Sequence, residues 1–201
     1  MPQATEPMYL RDVESNPQPS PYLGLIEKAR TEGKEVWQIW SLFAFRPEMA
    51  IHMGRFTHAL MHEPGPISAG LRELIAAYVS SLNHCGFCLA SHRAISSHLM
   101  GDEIVNAVLK DVETAPIAPE EKTLLHFVRK VTFESSSITP RDIEEQHHAG
   151  WSDEALYYAI TVAALFNFYN RWISSTGVHA VSEEGHRHHG AVIASKGYTR
   201  A

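Results

Sequence analysis

Two cysteines and one histidine, close together in the chain, are the residues whose types and spacing could do chemistry. Cys85 and Cys88 are the two cysteines of the sequence, and His92 follows Cys88 by four residues. On a helix, side chains four residues apart are neighbours, with Cβ atoms about 5–6 Å apart. A neutral imidazole at that position could take the thiol proton, and an imidazolium could stabilise the thiolate. The spacing therefore predicts a redox-active thiol pair with its own base.

Glu73, twelve residues before Cys85, could complete this set as an acid relay. Apolar residues recur at helical spacing over 71–82, and Glu73 lies off that apolar stripe. A carboxylate in this place could orient or recharge the His92 imidazole, directly or through water. The catalytic residues predicted from the sequence are therefore Cys88, Cys85, His92 and Glu73.

The helical pattern breaks around 83–86, and a second helix is predicted to begin at the cysteines. On that helix the cysteines and His92 share one stripe with Ile95 and Leu99, so we expect the reactive side chains to be only partly exposed. At a helix start, two sulfurs in this spacing lie within disulfide reach, and the backbone N–H groups favour a thiolate.

The two sulfurs have different advantages as the attacking nucleophile. Cys85, nearer the helix start, gains most from the helix dipole, an effect of about 0.3–1 kcal/mol at an exposed site. Cys88 has His92 one turn further along its own face. A positioned base contributes about 10²–10⁴-fold, or about 2.7–5.4 kcal/mol of barrier. The larger effect favours Cys88 as the nucleophile and Cys85 as the resolving thiol.

The composition excludes several classes of function. The 201 residues are 44% hydrophobic and 20% charged, with a net charge of -6, and this length suffices for one compact domain. Lysines and arginines are scattered, so no nucleic-acid-binding patch is expected. No apolar run approaches the roughly 20 residues needed to cross a bilayer, and the polar, proline-rich start does not resemble a secretion signal. One close cysteine pair is no disulfide framework, so we expect a cytoplasmic protein that needs neither metal nor cofactor.

The pattern along the chain predicts an all-α fold of about eight helices, because no alternating strand pattern of useful length is present. Five prolines mark residues 1–21 as an extended N-terminal arm. Residues 22–180 are predicted to form the helical domain, and residues 181–201 a polar C-terminal tail. The run 155–172 is apolar nearly all round, which places it in the core or in a subunit contact. With the arm, it offers more apolar surface than one small core needs, so we expect a homo-oligomer.

This arrangement resembles the signature of the alkylhydroperoxidase D-like (AhpD-like) family, in the peroxidase-related branch of the carboxymuconolactone decarboxylase superfamily. The resemblance lies in Glu73, eleven residues, the run Cys85-Gly86-Phe87-Cys88, three residues, and His92. The flanking residues are also similar, namely Leu71-Arg72-Glu73-Leu74, Phe166-Asn167, Asn170-Arg171 and Gly177. The likeness spans about residues 35–178.

The resemblance implies an AhpD-like helical bundle, homo-oligomers, and reduction of hydroperoxides through a cysteine disulfide, which a protein or dithiol reductant then reduces. It assigns peroxide attack to Cys88, resolution to Cys85, and proton relay to His92 and Glu73. The best-studied members have a histidine immediately before the second cysteine, where this chain has Phe87. That difference implies a shorter or water-mediated relay. Decarboxylase members of the superfamily lack the cysteine pair, which argues against that activity here.

Three other interpretations of the cysteine stretch are open. The residues could bind zinc with His84 or Glu73 as the fourth ligand, although zinc sites usually draw ligands from two separated pairs. The cysteines could form a buried, inert pair, because Cys packs well as a small hydrophobe. The motif could also serve a non-peroxidatic disulfide-exchange adaptor or a redox-sensing module for a partner protein. Several other histidines are expected at the surface rather than on a metal, namely His147, His148, His186, His188 and His189.

Overall fold

The computed structural model describes residues 6–199, and within them the chain is all-α, as predicted. In chain order, the eleven α-helices of these residues are α1 (Arg11–Ser15), α2 (Pro21–Thr31), α3 (Ile39–Phe45), α4 (Pro47–Met61), α5 (Ala69–Leu82), α6 (Gly86–Met100), α7 (Asp102–Lys110), α8 (Pro119–Glu134), α9 (Pro140–His148), α10 (Asp153–Thr176) and α11 (Glu183–Lys196). A 3₁₀ turn at Ser135–Ser137 follows α8. The predicted number of about eight helices is too low.

The helices begin and end where capping chemistry places them. Helix α4 begins with Pro47 in its first turn, where the missing N–H is not needed. Ser68 caps α5, because its hydroxyl accepts a hydrogen bond from the Leu71 N–H at 3.2 Å. Ser152 caps α10 in the same way. Gly177 ends α10 at a φ of +75°, a left-handed conformation that favours glycine.

Helices α5 and α6 form a helical hairpin at the centre of the molecule. Residues 70–80 of α5 are all buried, because α6, α10, α8, α7 and α4 surround this helix. Gly70 allows the closest approach, since a Cβ there would lie 2.6 Å from Cγ of Met100 on α6. The apolar stripe predicted from the sequence therefore underestimates how much of the α5 surface is buried. Glu73, which lies off that stripe, faces the interior and is 2% exposed.

Helix α10 lies in the core against α5 and α8, as the apolar run predicted. Its buried side chains include Leu156, Phe166 and Ile173. Tyr157 and Phe168, on the same helix, are exposed.

Part of the predicted N-terminal arm packs across the end of α10. The Tyr9 N–H donates to the Thr176 carbonyl at 3.1 Å, and Met8 is buried. The Tyr9 ring fills the space beside Gly177, where a Cβ would meet it at 2.7 Å. The next residues form the short helix α1, so this segment is not uniformly extended. Residues 1–5 of the predicted arm lie outside the described chain.

The predicted polar tail contains helix α11, which packs along α6. The buried residues of α11 are His186, Gly190 and Ile193, which recur at helical spacing. This helix was not predicted, because a histidine and a glycine on its buried face do not register as apolar. Gly190 makes the contact possible, since a Cβ there would lie 3.0 Å from the Ala94 backbone of α6. Residues 200 and 201 of the predicted tail lie outside the described chain. None of the helices within residues 6–199 combines the length and apolar character needed to span a membrane.

Candidate functional site

A tight turn between α5 and α6 places the two cysteines against the core. His84 in this turn has a left-handed φ of +55°, and α6 begins two residues later at Gly86. The Cys85 N–H donates to the Ser80 carbonyl at 3.0 Å, which ties the turn to the end of α5. Cys85 immediately precedes α6, and Cys88 lies in its first turn. Each cysteine is 2% exposed, so the sulfurs are more deeply buried than we expected from the sequence.

Both cysteines are free thiols, and their side chains are hydrogen-bonded to each other. The hydrogen bond from Cys88 lowers the pKa of Cys85 to about 6, against the effect of burial and with further help from the Ser174 hydroxyl and from nearby His92. The pKa of Cys88 is raised, because its thiol hydrogen-bonds to Cys85 and burial disfavours a second negative charge. The pair therefore carries a single negative charge at neutral pH, with a proton shared between the sulfurs.

Helices α5 and α6 bring Glu73 and His92 into direct contact. Nδ1 of His92 lies 2.7 Å from Oε2 of Glu73, and both side chains are buried. An ionised carboxylate can only accept a hydrogen bond, so this contact places the proton on Nδ1 and leaves Nε2 as the nitrogen that can exchange one. The imidazole packs edge-on against the Phe166 ring, with centroids 4.3 Å apart. Glu73 and Phe166 together therefore fix the orientation of the His92 imidazole.

Tyr198 is a site residue that the sequence did not indicate. Its hydroxyl donates to Oε1 of Glu73 at 2.5 Å, so the carboxylate is bonded on both oxygens. The same hydroxyl lies 3.5 Å from Nδ1 of His92. No local pattern could have identified this tyrosine, because it lies 106 residues from His92 in the chain and beyond a helix that was itself not predicted.

A network of three asparagines, of which Asn170 is buried, adjoins the cysteine pair. Nδ2 of Asn170, on α10, donates to Oγ of Ser80 at 2.9 Å, and the amide is also hydrogen-bonded to Cys88. The Asn83 amide donates to Oδ1 of both Asn170 and Asn167, at 3.0 Å each. The hydrogen bond from Asn170 lowers the pKa of Cys88, although burial and Cys85 outweigh it. The network therefore holds α10 against the turn that carries the cysteines.

An apolar cavity of about 80 Å³ opens beside Cys88 and His92. Its aromatic lining residues are Tyr22, Trp37, Trp40, Phe43, Phe87, Phe166, Tyr169 and Tyr198. Cys85 is not among the lining residues, so the two sulfurs face different surroundings. Phe87 is 5% exposed and forms part of the apolar wall.

The structure brings all four sequence-predicted residues into one site, as two pairs: Cys85 with Cys88 at the start of α6, and Glu73 of α5 with His92 of α6. It contradicts one other expectation, since His186 is buried rather than at the surface. Its Nδ1 lies 3.2 Å from the Ser91 hydroxyl, and burial lowers the pKa of His186 to about 4. Within the described residues, no group of three or more His, Cys, Asp or Glu side chains is arranged to hold a metal ion.

Comparison with known proteins finds one matching family and several solved structures with a similar fold. Residues 47–130, which include Glu73, both cysteines and His92, match the carboxymuconolactone decarboxylase family. No curated protein matches the sequence. Among solved structures, a peroxidase-related protein from Silicibacter sp. TM1040 is 27% identical, with a TM-score of 0.78 over 92% of this chain and 97% of that one.

Two further structures share the fold at lower identity. The AhpD core of a peroxidase-related protein from Ralstonia eutropha JMP134 is 23% identical, with a TM-score of 0.75 over 92% of this chain and 98% of that one. A cysteine-to-alanine variant of the debrominase Bmp8, in complex with 2,3,4-tribromopyrrole, is 16% identical. Its TM-score is 0.67 over 96% of this chain and all of that one.

Proposed function

We propose that this chain, which belongs to the carboxymuconolactone decarboxylase superfamily and has an AhpD-like fold, is a thiol-dependent peroxidase. In this proposal it reduces hydroperoxides through a disulfide cycle between Cys85 and Cys88. One observation carries the proposal: a thiol pair that shares one proton adjoins an apolar cavity, and His92, held by Glu73, lines that cavity with Cys88.

The first step is attack by Cys88 on the hydroperoxide. Cys88 lines the cavity and Cys85 does not, so a substrate held there meets the Cys88 sulfur. His92 takes the Cys88 thiol proton on Nε2 as the Cys88 sulfur attacks the terminal peroxide oxygen, so the cysteine pair does not hold two full negative charges. The O–O bond breaks, Cys88 becomes a sulfenic acid, and the departing alkoxide takes the proton back from His92 to leave as an alcohol. Glu73 stabilises the imidazolium that exists between the two proton transfers.

The second step is resolution by Cys85. Because its pKa is lowered to about 6, Cys85 is already a thiolate at neutral pH and needs no base. Its sulfur attacks the sulfur of the Cys88 sulfenic acid, the S–O bond breaks, and the hydroxide leaves as water with a proton from the solvent. A disulfide forms between the cysteines. An external dithiol then reduces this disulfide by thiol–disulfide exchange, which restores both thiols and oxidises the dithiol.

The alternative function is disulfide exchange with a partner protein, without peroxide turnover. The burial of both sulfurs favours the peroxidase, because thiol exchange requires the attacking sulfur to reach a cysteine directly. A protein surface cysteine cannot approach sulfurs that are 2% exposed, whereas a hydroperoxide small enough for the cavity can.

Turnover separates the two functions. Purified protein is mixed with ethyl hydroperoxide, which is small enough for the cavity, and with excess dithiothreitol, and hydroperoxide loss is followed. We expect catalytic consumption by the native chain and none above background by the Cys85→Ser/Cys88→Ser double variant. Equal consumption by the two proteins would refute the peroxidase proposal.

A further inference from the structure

The last described residues of the chain reach back into the site. Tyr198 follows α11, and its hydroxyl donates to Oε1 of Glu73 at 2.5 Å. Its ring lies nearly parallel to the His92 imidazole, with centroids 6.4 Å apart and an angle of 21° between the planes. A phenol on one oxygen of Glu73 and an imidazole on the other form a continuous hydrogen-bonded chain from Tyr198 to His92.

The backbone holds Tyr198 in this place. Its N–H donates to Nδ1 of His58 on α4 at 3.2 Å. Gly197 has a left-handed φ of +71°, and a Cβ at this position would overlap the His58 ring. The Gly197 N–H continues the hydrogen bonding of α11, donating to the Ile193 carbonyl at 2.7 Å. The tyrosine is therefore anchored on both α11 and α4 rather than lying loosely over the cavity.

We propose that Tyr198 is a positioning residue for the thiol chemistry, a role that rests on the proposed function. By holding Oε1 of Glu73, its hydroxyl fixes Oε2 on Nδ1 of His92 and leaves Nε2 as the nitrogen that exchanges a proton. Hydrogen bonds to an ionised acceptor are about twice as strong as neutral ones, and an O–H donor at 2.5–2.7 Å is typical of them. With one donor removed, the carboxylate can rotate about its own bond, and the imidazole loses a fixed partner.

Other ionisable groups lie near the contacts that join Tyr198, Glu73 and His92. His58 on α4 and His62, which follows α4, lie beside Gly197, and Arg72 on α5 interacts electrostatically with both Glu73 and Tyr198. The Arg72 guanidinium is itself bonded to the Leu60 and Glu63 carbonyls, so it stays in place when Tyr198 changes.

The test is a double-mutant cycle of Tyr198→Phe and Glu73→Gln, with Tyr157→Phe as the matched control on the exposed face of α10. The readout is the single-turnover rate of thiol oxidation by ethyl hydroperoxide. We expect Tyr198→Phe to slow oxidation about 10-fold, a part of the roughly 10²–10⁴-fold that a positioned base supplies. In the Glu73→Gln background the same change should have no further effect, because Tyr198 acts through Glu73. Multiplicative losses, or a native rate for Tyr198→Phe, would refute the proposal.

A second measurement tests the role of Tyr198 without hydroperoxide. If the native chain does not react with hydroperoxide, only the peroxidase proposal is refuted, and this measurement still decides the role of Tyr198. Nitrogen NMR of the His92 ring, assigned by comparison with His92→Gln, reports which nitrogen carries the proton. We expect the native chain to hold the proton on Nδ1, and Tyr198→Phe to populate both tautomers. An unchanged tautomer in Tyr198→Phe would remove Tyr198 from this role.

Discussion

Cys85 and Cys88 are the same residue type, yet their surroundings give the two sulfurs different properties. Cys85 accepts hydrogen bonds from Cys88 and from Ser174, which stabilise its thiolate. Cys88 faces the cavity together with His92, on the side where a substrate can enter. Cys85 therefore has the lowered pKa, and Cys88 has access to the cavity. This division suits a reaction in which one sulfur attacks and the other resolves.

The lowered pKa of Cys85 predicts a titration near pH 6. Above that pH the pair carries one thiolate, and below it both thiols are protonated, so the ultraviolet absorbance of the thiolate should fall as the pH drops through about 6. In Cys85→Ser this titration should move to higher pH, because burial raises the pKa of the remaining thiol. An unchanged midpoint in Cys85→Ser would show that Cys88 carries the thiolate instead.

Single serine substitutions test which sulfur attacks. Cys85→Ser should still react once with hydroperoxide and stop at a sulfenic acid on Cys88, because the resolving thiol is absent. Cys88→Ser should react at least about 100-fold more slowly, since its remaining thiol does not line the cavity next to His92. Mass spectrometry should find one added oxygen on Cys88 in the first variant. The same adduct on Cys85 of Cys88→Ser, formed at the native rate, would reverse the two roles.

At the scale of helices, the site depends on how closely α5 and α11 pack against α6. Helix α5 supplies Glu73 from one side, and α11 leads to Tyr198 on the other. Both contacts use glycine: Gly70 in α5 makes room for the Met100 side chain of α6, and Gly190 in α11 lets that helix approach the Ala94 backbone of α6. The distances that align the site are thus set by packing outside it.

Gly190→Ala tests the α6–α11 contact. A Cβ at Gly190 would lie 3.0 Å from the Ala94 backbone, which cannot move without shifting α6. We expect the free energy of unfolding to fall by about 1–3 kcal/mol, as in other overpacked sites. Gly24→Ala is the matched control, because no atom lies within 4 Å of a Cβ there and alanine favours the helix by about 0.5–1 kcal/mol. Urea unfolding compares them, and equal stabilities would show that the contact tolerates a methyl group.

Much of the architecture could be predicted because it depends on local signals. Proline starts and serine caps fixed the beginnings of helices such as α4 and α10, and the four-residue spacing from Cys88 placed His92 on the same face. The burial of α5 could not be predicted, because Ala76 and Ser80 let neighbours approach on faces that do not register as apolar. Helix α11 was missed for the same reason, and Tyr198 because its partners are distant in sequence.

At the scale of the whole molecule, large apolar side chains remain exposed on several helices. Within the described residues, the large exposed ones include Met49 and Phe56 on α4 and Tyr157 and Phe168 on α10. Burial of such side chains between copies is favourable, at about 25 cal/mol per Å² of apolar surface. A homo-oligomer, expected from the sequence, would cover these faces.

Light scattering coupled to size-exclusion chromatography tests the oligomer. At micromolar concentration we expect the mass of two or more 22.5 kDa chains, and for Phe168→Glu we expect the mass to fall toward 22.5 kDa. The added charge would be buried in the contact without a partner, which is strongly unfavourable. A native particle of 22.5 kDa would exclude the oligomer at that concentration.

The most direct test of the central claim is a count of free thiols before and after one equivalent of ethyl hydroperoxide. The chain holds two cysteines, both free thiols. A disulfide cycle predicts that one equivalent removes both thiols and yields one equivalent of alcohol, and that dithiothreitol restores them. Both thiols remaining after the hydroperoxide is added would contradict the account.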